Sequence, residues 1–374
     1  MHERGILGPA DVSDAQLGAM VSALIGVEAD VLDSHAEVVP YDMPAITTAG
    51  RYWVRGHARA AGEVAAFSLF VKHVQSWARS PLFTGVPEGQ RATAEASVPW
   101  RTEPLAYRSD LGDRLPEGLS MPRALGVFDL DEKSAAIWLE EVHVDPDAAW
   151  DDARFARAAH LLGRMAASER VRPLATVGRH DFTVHDYLHG RLTNQVLPLL
   201  RTPGIWRHPL VAAAFADLRG DLLRAADAAP AYTDELAAFP LVPGHGDACP
   251  NNLLVHGDGF VLIDYGFWAP LPVGFDLGQL LVGDVQVGRR DVGDLARLDD
   301  LLVASYVEGL RAEGCALPLV DVRRAHALHL MLFTGLSTLP FEYLEAPVTP
   351  ELEHLVAQRA AIARHCLRLL EETG

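Results

Sequence analysis

The residues of this chain best equipped for chemistry fall in one stretch, 242–264, which reads Val-Pro-Gly-His-Gly-Asp-Ala-Cys-Pro-Asn-Asn-Leu-Leu-Val-His-Gly-Asp-Gly-Phe-Val-Leu-Ile-Asp. Its skeleton is His245-x-Asp247, then Asn252, then Leu-Leu-Val, a glycine-rich turn, and Val-Leu-Ile ending on Asp264. The two apolar runs flanking residues 256–259 read as a β-hairpin. A two-residue loop sets Asn252 opposite Ile263, and a three-residue loop sets it opposite Asp264. Directly paired residues hold their Cβ atoms about 5 Å apart. Either way an amide oxygen and a carboxylate meet at the open end of the hairpin, with Asp247 just upstream. Hard oxygen ligands in that arrangement suit Mg²⁺, which takes one or two protein carboxylates and leaves its other positions to phosphate and water. Asp and Asn are also ordinary turn residues, but turn chemistry does not account for the joint spacing.

A second signal is compositional. Of 32 basic residues only two are lysines, Lys72 and Lys133. A lysine kept against so strong an arginine bias marks a place where a compact ammonium is needed and a planar guanidinium does not fit. The ordinary reading of Lys72 is a snorkelling edge-strand lysine.

Composition excludes several classes. The 374 residues carry a formal net charge of −18, which argues against a nucleic-acid partner, since phosphate backbones need a basic footprint. It is compatible with a cationic small ligand. Cys249, Cys315 and Cys366 stand far apart without a Cys-x-x-Cys pair, which speaks against a disulfide framework and fits a reducing compartment. The first fourteen residues lack the apolar core of an export signal. The stretch 325–341 is too short and too polar to span a bilayer. The expectation is a cytoplasmic protein with no membrane partner. No His-Glu-x-x-His or Cys/His zinc spacing occurs, so His326 and His329 read as core or surface residues.

The elements that position these side chains follow from periodicity. Short strands are expected at 37–39 and 52–55, with a small-residue turn over 44–50 between them. A longer strand at 67–74 alternates, placing Ser68, Phe70, Lys72 and Val74 on one face. Residues 80–100 read as a long connection with a short helix at 88–97, and another helix is expected over 99–108. A second hairpin pairs 124–128 with 135–139. Near residue 142 the period turns helical, with Phe155, Ala158, Leu161, Leu162 and Met165 on one face of 151–168. Further helices are expected at 205–227, 292–313, 319–337 and 349–372, around the β-rich island at 241–264. This gives two lobes, residues 1–142 and 143–374.

The motif His245-Gly-Asp247-x-x-x-x-Asn252, followed by Ile263-Asp264-Tyr-Gly266, resembles the aminoglycoside phosphotransferase family of small-molecule kinases. The resemblance runs from about residue 37 to about residue 285. It implies an α+β, bilobal protein-kinase-like fold with a β-rich N-terminal lobe and a mainly helical C-terminal lobe. It further implies that Lys72 holds the α/β-phosphates of ATP and that Glu103 pairs with it, Glu95 being the alternate. Trp138-Leu-Glu-Glu-Val142 resembles the linker strand that meets adenine through the Glu140 carbonyl and the Val142 N–H. By the same resemblance Asp247 orients or deprotonates the acceptor hydroxyl, and Asn252 and Asp264 bind Mg²⁺. His245 and Asp276 brace the catalytic loop, and Cys249 packs within it. The chain departs from the pattern at Thr47-Thr-Ala-Gly50, where one glycine stands in place of a glycine-rich series, and at Tyr265, where protein kinases carry Phe.

The expected activity is ATP-dependent phosphoryl transfer, with GTP not set apart, to a hydroxyl of a small molecule: an aminoglycoside or other antibiotic, a sugar, an amino alcohol or a nucleoside-like metabolite. Asp284, Glu308, Glu342 and Glu345 are candidates for lining a cationic acceptor's pocket, against the plainer reading of a solvated helix surface. Two rivals belong to other classes. One is a pseudokinase-like module that holds nucleotide without transfer; the other is a metal-dependent hydrolase built on His245, Asp247 and Asp264, which has no need of Lys72.

Overall fold

A computed structural model describes residues 2–40, 45–144, 148–178 and 183–374. The first part of the chain runs β1 (His2–Glu3), α1 (Asp14–Ile25), β2 (Ala29–Val38), β3 (Thr48–Ala60), β4 (Glu63–Gln75), α2 (Arg91–Ala96), α3 (Thr102–Arg108), α4 (Leu111–Arg114), β5 (Leu119–Ser120), β6 (Ala124–Asp131) and β7 (Ser134–Glu140). The second continues with α5 (Asp152–Ala167), α6 (Val184–Tyr187), α7 (Leu197–Arg201), α8 (Pro209–Phe215), α9 (Arg219–Ala237), β8 (Leu241–Gly244), β9 (Leu253–His256), β10 (Gly259–Leu262), β11 (Ala269–Pro272), α10 (Asp276–Gln286), α11 (Leu295–Ala312), α12 (Leu319–Phe333) and α13 (Pro350–Thr373).

One six-stranded sheet, in the order β1-β2-β3-β4-β7-β6, makes the N-terminal lobe. The β3–β4 hairpin turns at Ala61 and Gly62, both at positive φ, the geometry whose twist matches that of the flanking strands. Alternation along β4 then sorts its side chains. Phe67, Leu69 and Val71 pack with Leu17, Met20 and Val21 of α1, while Val74 and Phe70 join the larger core below. Lys72 belongs to that lower face, the one turned toward the helical lobe. Helix α1 starts at a capping box between Ser13 and Gln16 and stops at Gly26 in the left-handed conformation.

Several expectations need correction. The strands are longer than read, and α1 lies where no helix was expected. Its apolar face is narrow, because Ala, Gly and Ser fill most of the remaining positions. Of the expected turn over 44–50, Thr48–Gly50 are already strand β3, entered through a bulge between Thr48 and Gly50; Pro44 lies outside the described residues. The helix read over 205–227 is two, α8 and α9, broken near Ala216–Leu218. Two helical stretches were not read at all: 184–201, which includes a π-helical segment Leu188–Val196, and α10. The latter buries Leu277, Leu280, Leu281, Val282 and Val285, with Gly278 and Gly283 set among them, and glycine weakens a helix signal.

The segment 102–120 ties the lobes together. Ala106, Tyr107, Leu111, Leu115 and Leu119 belong to the same buried cluster as α5, α9, α11 and α12. Strand β5 pairs parallel with β10, Leu119 against Phe260 and Ser120 against Val261. Among the described residues no helix is long and apolar enough to cross a membrane.

Candidate active site

The β9–β10 hairpin closes with a two-residue loop, His256 facing Gly259 and Leu253 facing Leu262. The Ile263 N–H donates to the Asn252 carbonyl at 3.1 Å, so Asn252 lies opposite Ile263, the shorter-loop alternative. The next residue, Asp264, leaves the ladder in a left-handed conformation with φ 65° and ψ 62°. A short polar side chain tolerates this strained region better than others do, and the turn aims the carboxylate out of the strand end.

Three charged groups from three elements meet there. The Lys72 ammonium, on β4, lies 2.6 Å from the Glu103 carboxylate of α3 and 3.0 Å from Asp264 Oδ1. Glu95 is elsewhere: it accepts from Lys133 at 2.7 Å and from the Ser76 hydroxyl at 2.6 Å. Burial opposes the charge on Lys72, yet the Asp264 and Glu103 carboxylates raise its pKa above the ordinary lysine value. Burial pushes the Glu103 carboxyl up to about 7, against the pull of Lys72. At Asp264 burial also acts upward, but Lys72 holds the carboxylate below its usual range. One ammonium thus serves two carboxylates in a largely dry site, and of the three groups Asp264 is the accessible one, at 35% side-chain exposure against 6% for Lys72.

The loop before β9 is braced at every step. The buried Asp276 carboxylate accepts the N–H of His245 at 2.9 Å and of Gly246 at 2.8 Å. The His245 ring bridges the loop to the hairpin: Nε2 lies 2.9 Å from the Ile263 carbonyl, and Nδ1 accepts the Asp247 N–H at 3.3 Å. That pairing requires a neutral imidazole protonated on Nε2, and burial lowers the His245 pKa accordingly. Gly246 has φ +81°, and a Cβ there would stand 2.4 Å from the Phe267 carbonyl. The Asn252 side-chain amide donates to the Asp247 carbonyl at 2.9 Å and to Asp247 Oδ2 at 3.0 Å, which leaves the amide oxygen as its ligating end. Burial, and then the charge of Asp264, push the Asp247 carboxyl up to about 7. Such a group can take a proton near neutrality.

Asp247, Asn252 and Asp264 offer two carboxylates and one amide oxygen. Among the described residues no group of three or more His, Cys, Asp or Glu side chains could hold a metal alone. The donor set therefore fits a hard divalent ion whose remaining positions go to phosphate and water.

Other sequence candidates are spread more widely. Glu140 ends β7 opposite Leu69, its carboxylate accepting the Arg123 N–H at 2.9 Å. Val142 follows in the connection beyond the sheet. The Thr47–Gly50 stretch lies at the β2–β3 end of the sheet, the Thr47 carbonyl accepting the Gln75 N–H at 2.8 Å. Asp284 is half-buried on α10, where its charge helps raise the Cys249 thiol to about 12, after burial and Asp247. Glu308 and Glu345 are exposed, and Glu342 pairs with Arg359 at 2.8 Å. His326 and His329 are buried within the helical lobe. Alternation puts Phe70 on the face of Lys72; not read from the sequence was Trp53, which packs edge to face on Phe70 at 5.2 Å and needed the strand register that sets it opposite Phe70.

Comparison with known proteins bears on this arrangement directly. The profile of the phosphotransferase enzyme family (APH) matches residues 105–317. No curated protein matches. Among solved structures, an aminoglycoside phosphotransferase from Alicyclobacillus acidocaldarius is similar at 15% identity, covering 90% of this chain and 96% of that one with a TM-score of 0.52. A choline kinase from Cryptosporidium parvum is 12% identical over 91% of this chain and 89% of its own, with a TM-score of 0.48. An ethanolamine kinase from Plasmodium vivax is 12% identical over 91% and 84%, at 0.45. The first of these carries the fold, bilobal, α+β and protein-kinase-like. The matched profile spans more than half of the sequence and contains the whole braced loop, the hairpin and Asp264: the chain belongs to the phosphotransferase enzyme family.

Proposed function

We propose that this protein is a kinase that transfers the γ-phosphoryl group of ATP to a hydroxyl of a small molecule. The observation that carries the reading is Lys72, buried and held between Glu103 and Asp264, at the mouth of a loop that pairs Asp247 with Asn252. We take residues 1–142 as the nucleotide-binding lobe and 143–374 as the catalytic and acceptor-binding lobe. In this reading the purine lies under Trp53 and Phe70 and meets the Glu140 carbonyl and the Val142 N–H. A base of either common purine nucleotide fits such backbone contacts, with ATP the co-substrate assigned. Lys72, fixed by Glu103, holds the α/β-phosphates. Asn252 and Asp264 hold Mg²⁺, which when bound neutralises charge on the phosphates.

Asp247 accepts the hydrogen bond of the acceptor hydroxyl and takes its proton as the oxygen bonds to the γ-phosphorus and the bond to the β-phosphate oxygen breaks, releasing ADP. His245 and Asp276 keep the Asp247 backbone in place, so little reorganisation is needed at the moment of transfer. The acceptor class is a hydroxyl compound of the aminoglycoside, sugar or amino-alcohol kind. The net charge of −18 and the half-buried Asp284 beside the loop favour a cationic one. A hydrolase built on His245 is disfavoured, since both ring nitrogens of that histidine are committed to the backbone.

The test is ADP release over a panel of hydroxyl compounds. Acceptor-dependent ADP formation, lost in Asp247→Asn, supports the reading. Nucleotide binding with no ADP release for any acceptor favours the non-transferring module instead.

A further inference from the structure

We propose that Arg51 is a second phosphate-binding cation, doing with a side chain what a glycine-rich loop does with backbone N–H groups. The proposal rests on the kinase reading above and assigns one more residue to its nucleotide site.

Strand pairing places the residue. Arg51 on β3 stands directly opposite Lys72 on β4, and residues paired across an antiparallel ladder share a face. Arg51 therefore shares the face on which Lys72 meets Glu103 and Asp264. Its backbone is anchored at the end of the sheet, the Val39 N–H donating to the Arg51 carbonyl at 2.9 Å. The bulge between Thr48 and Gly50 lies immediately before it, and bulges of this kind re-aim the side chains that follow. Gly50 pairs with His73 and faces the other side of the sheet, so Arg51 is the first charged side chain of β3 on this face.

Charge supplies the reason. Lys72 is one ammonium set against two carboxylates, with Asp247 near by, so the site is negative before any phosphate arrives. A divalent ion offsets part of that excess. The preceding Thr47-Thr-Ala-Gly50 holds a single glycine, where a glycine-rich series would favour a nest of backbone N–H groups. A second fixed cation serves the same end. Arg51 lies close enough that its charge acts on Lys72, Glu103 and Asp264 alike. Arg55, four residues on, shares this face but lies farther along the strand, opposite Ser68. It sits 3.2 Å from Glu37 and 3.8 Å from Glu141, with its guanidinium 5.1 Å above the Trp53 ring. Arg55 thus belongs to the base end of the cleft and Arg51 to the phosphate end.

The experiment is calorimetric titration of the full chain with Mg·ADP and, separately, with adenosine, for wild type, Arg51→Gln and Arg51→Lys. Loss of one charge-assisted contact is expected to weaken Mg·ADP about tenfold in Arg51→Gln. Adenosine should stay within about twofold of wild type, which also reports that the site is folded. Arg51→Lys should fall between, since an ammonium restores the charge without the forked geometry. Mg·ADP affinity unchanged in Arg51→Gln overturns the assignment, and so does an equal loss for ADP and adenosine, which would mark Arg51 as scaffold; both leave the kinase reading standing. A wild-type protein that binds neither ligand removes the kinase reading and this assignment with it.

Discussion

Two buried charge clusters invite comparison. At the lobe interface Lys72 is shared by Glu103 and Asp264. Inside the helical lobe Asp299 of α11 is shared by two histidines, His326 Nε2 at 2.9 Å and His365 Nε2 at 2.7 Å, from α12 and α13. The Arg368 guanidinium donates to the other ring nitrogen of His365 at 2.8 Å. Both clusters join elements distant in sequence, and both hold a charge out of water. They differ in closure. Every member of the helical cluster that touches Asp299 is at most 5% exposed, whereas the interface cluster opens to solvent through Asp264 at 35%. The closed cluster has the partners of its carboxylate inside and joins three helices. The open one turns a carboxylate outward, which is where the proposed function puts a cation. A buried charge whose partners are all enclosed ties elements together; one that reaches an opening can also meet a ligand.

The sharpest way to break this contrast is at Asp247, in the loop beside the open site. Asp247→Asn is expected to lower turnover about 10³-fold, within the usual range for a lost general base, while Mg·ADP binding stays within a few-fold. Turnover near wild type would strip Asp247 of its role. Next is Lys72→Met, expected to lower turnover about 10²-fold with only a modest shift in melting temperature. The reason for the small shift is that Glu103, already raised to about 7, takes up a proton when its partner goes.

The closed cluster should behave in the opposite manner. Asp299→Asn is expected to cost about 3 kcal/mol of unfolding free energy, measured by denaturant titration, with turnover per folded molecule unchanged. Burial acts upward on the Asp299 carboxyl, but the two imidazoles hold it far below the usual carboxylate range. A folded pKa below the unfolded one contributes stability that is fully present above ~4 and drains as pH falls further. Wild type should therefore lose stability in acid more steeply than Asp299→Asn, and equal slopes would remove the electrostatic explanation. Smallest of all is Glu95→Gln, which severs a surface pair with Lys133 and is expected to cost about 0.5 kcal/mol and no activity. A large kinetic effect there would reopen the choice between Glu95 and Glu103 as the functional partner of Lys72.

The chemistry was more legible in the residues than the architecture around it. Asn252 and Asp264 flank one hairpin and Asp247 lies five residues before Asn252, so local spacing was enough to read them as one group, and only the loop length was needed to settle the register. Lys72 stood out because the chain is otherwise almost free of lysine. Its partner did not, since Glu95 and Glu103 lie in one Pro- and Gly-rich region where one-turn helices leave no period to follow. Arg51 and Trp53 join the face of Phe70 and Lys72 only through the pairing of β3 with β4, which no local pattern encodes. Helix α10 escaped for a different reason from α1: Gly278 and Gly283 interrupt it and weaken the helix signal, whereas the apolar stripe of α1 is narrow.

The two-residue ladder between β5 and β10 has a mechanical consequence. It stitches a piece of chain from the sheet side directly onto the hairpin that ends in Asp264, close to where α3 packs below the sheet. The seam ends at Val261, three residues before Asp264, so a displacement of residues 119–120 is passed through the hydrogen bonds of the hairpin to the strand end that carries that carboxylate.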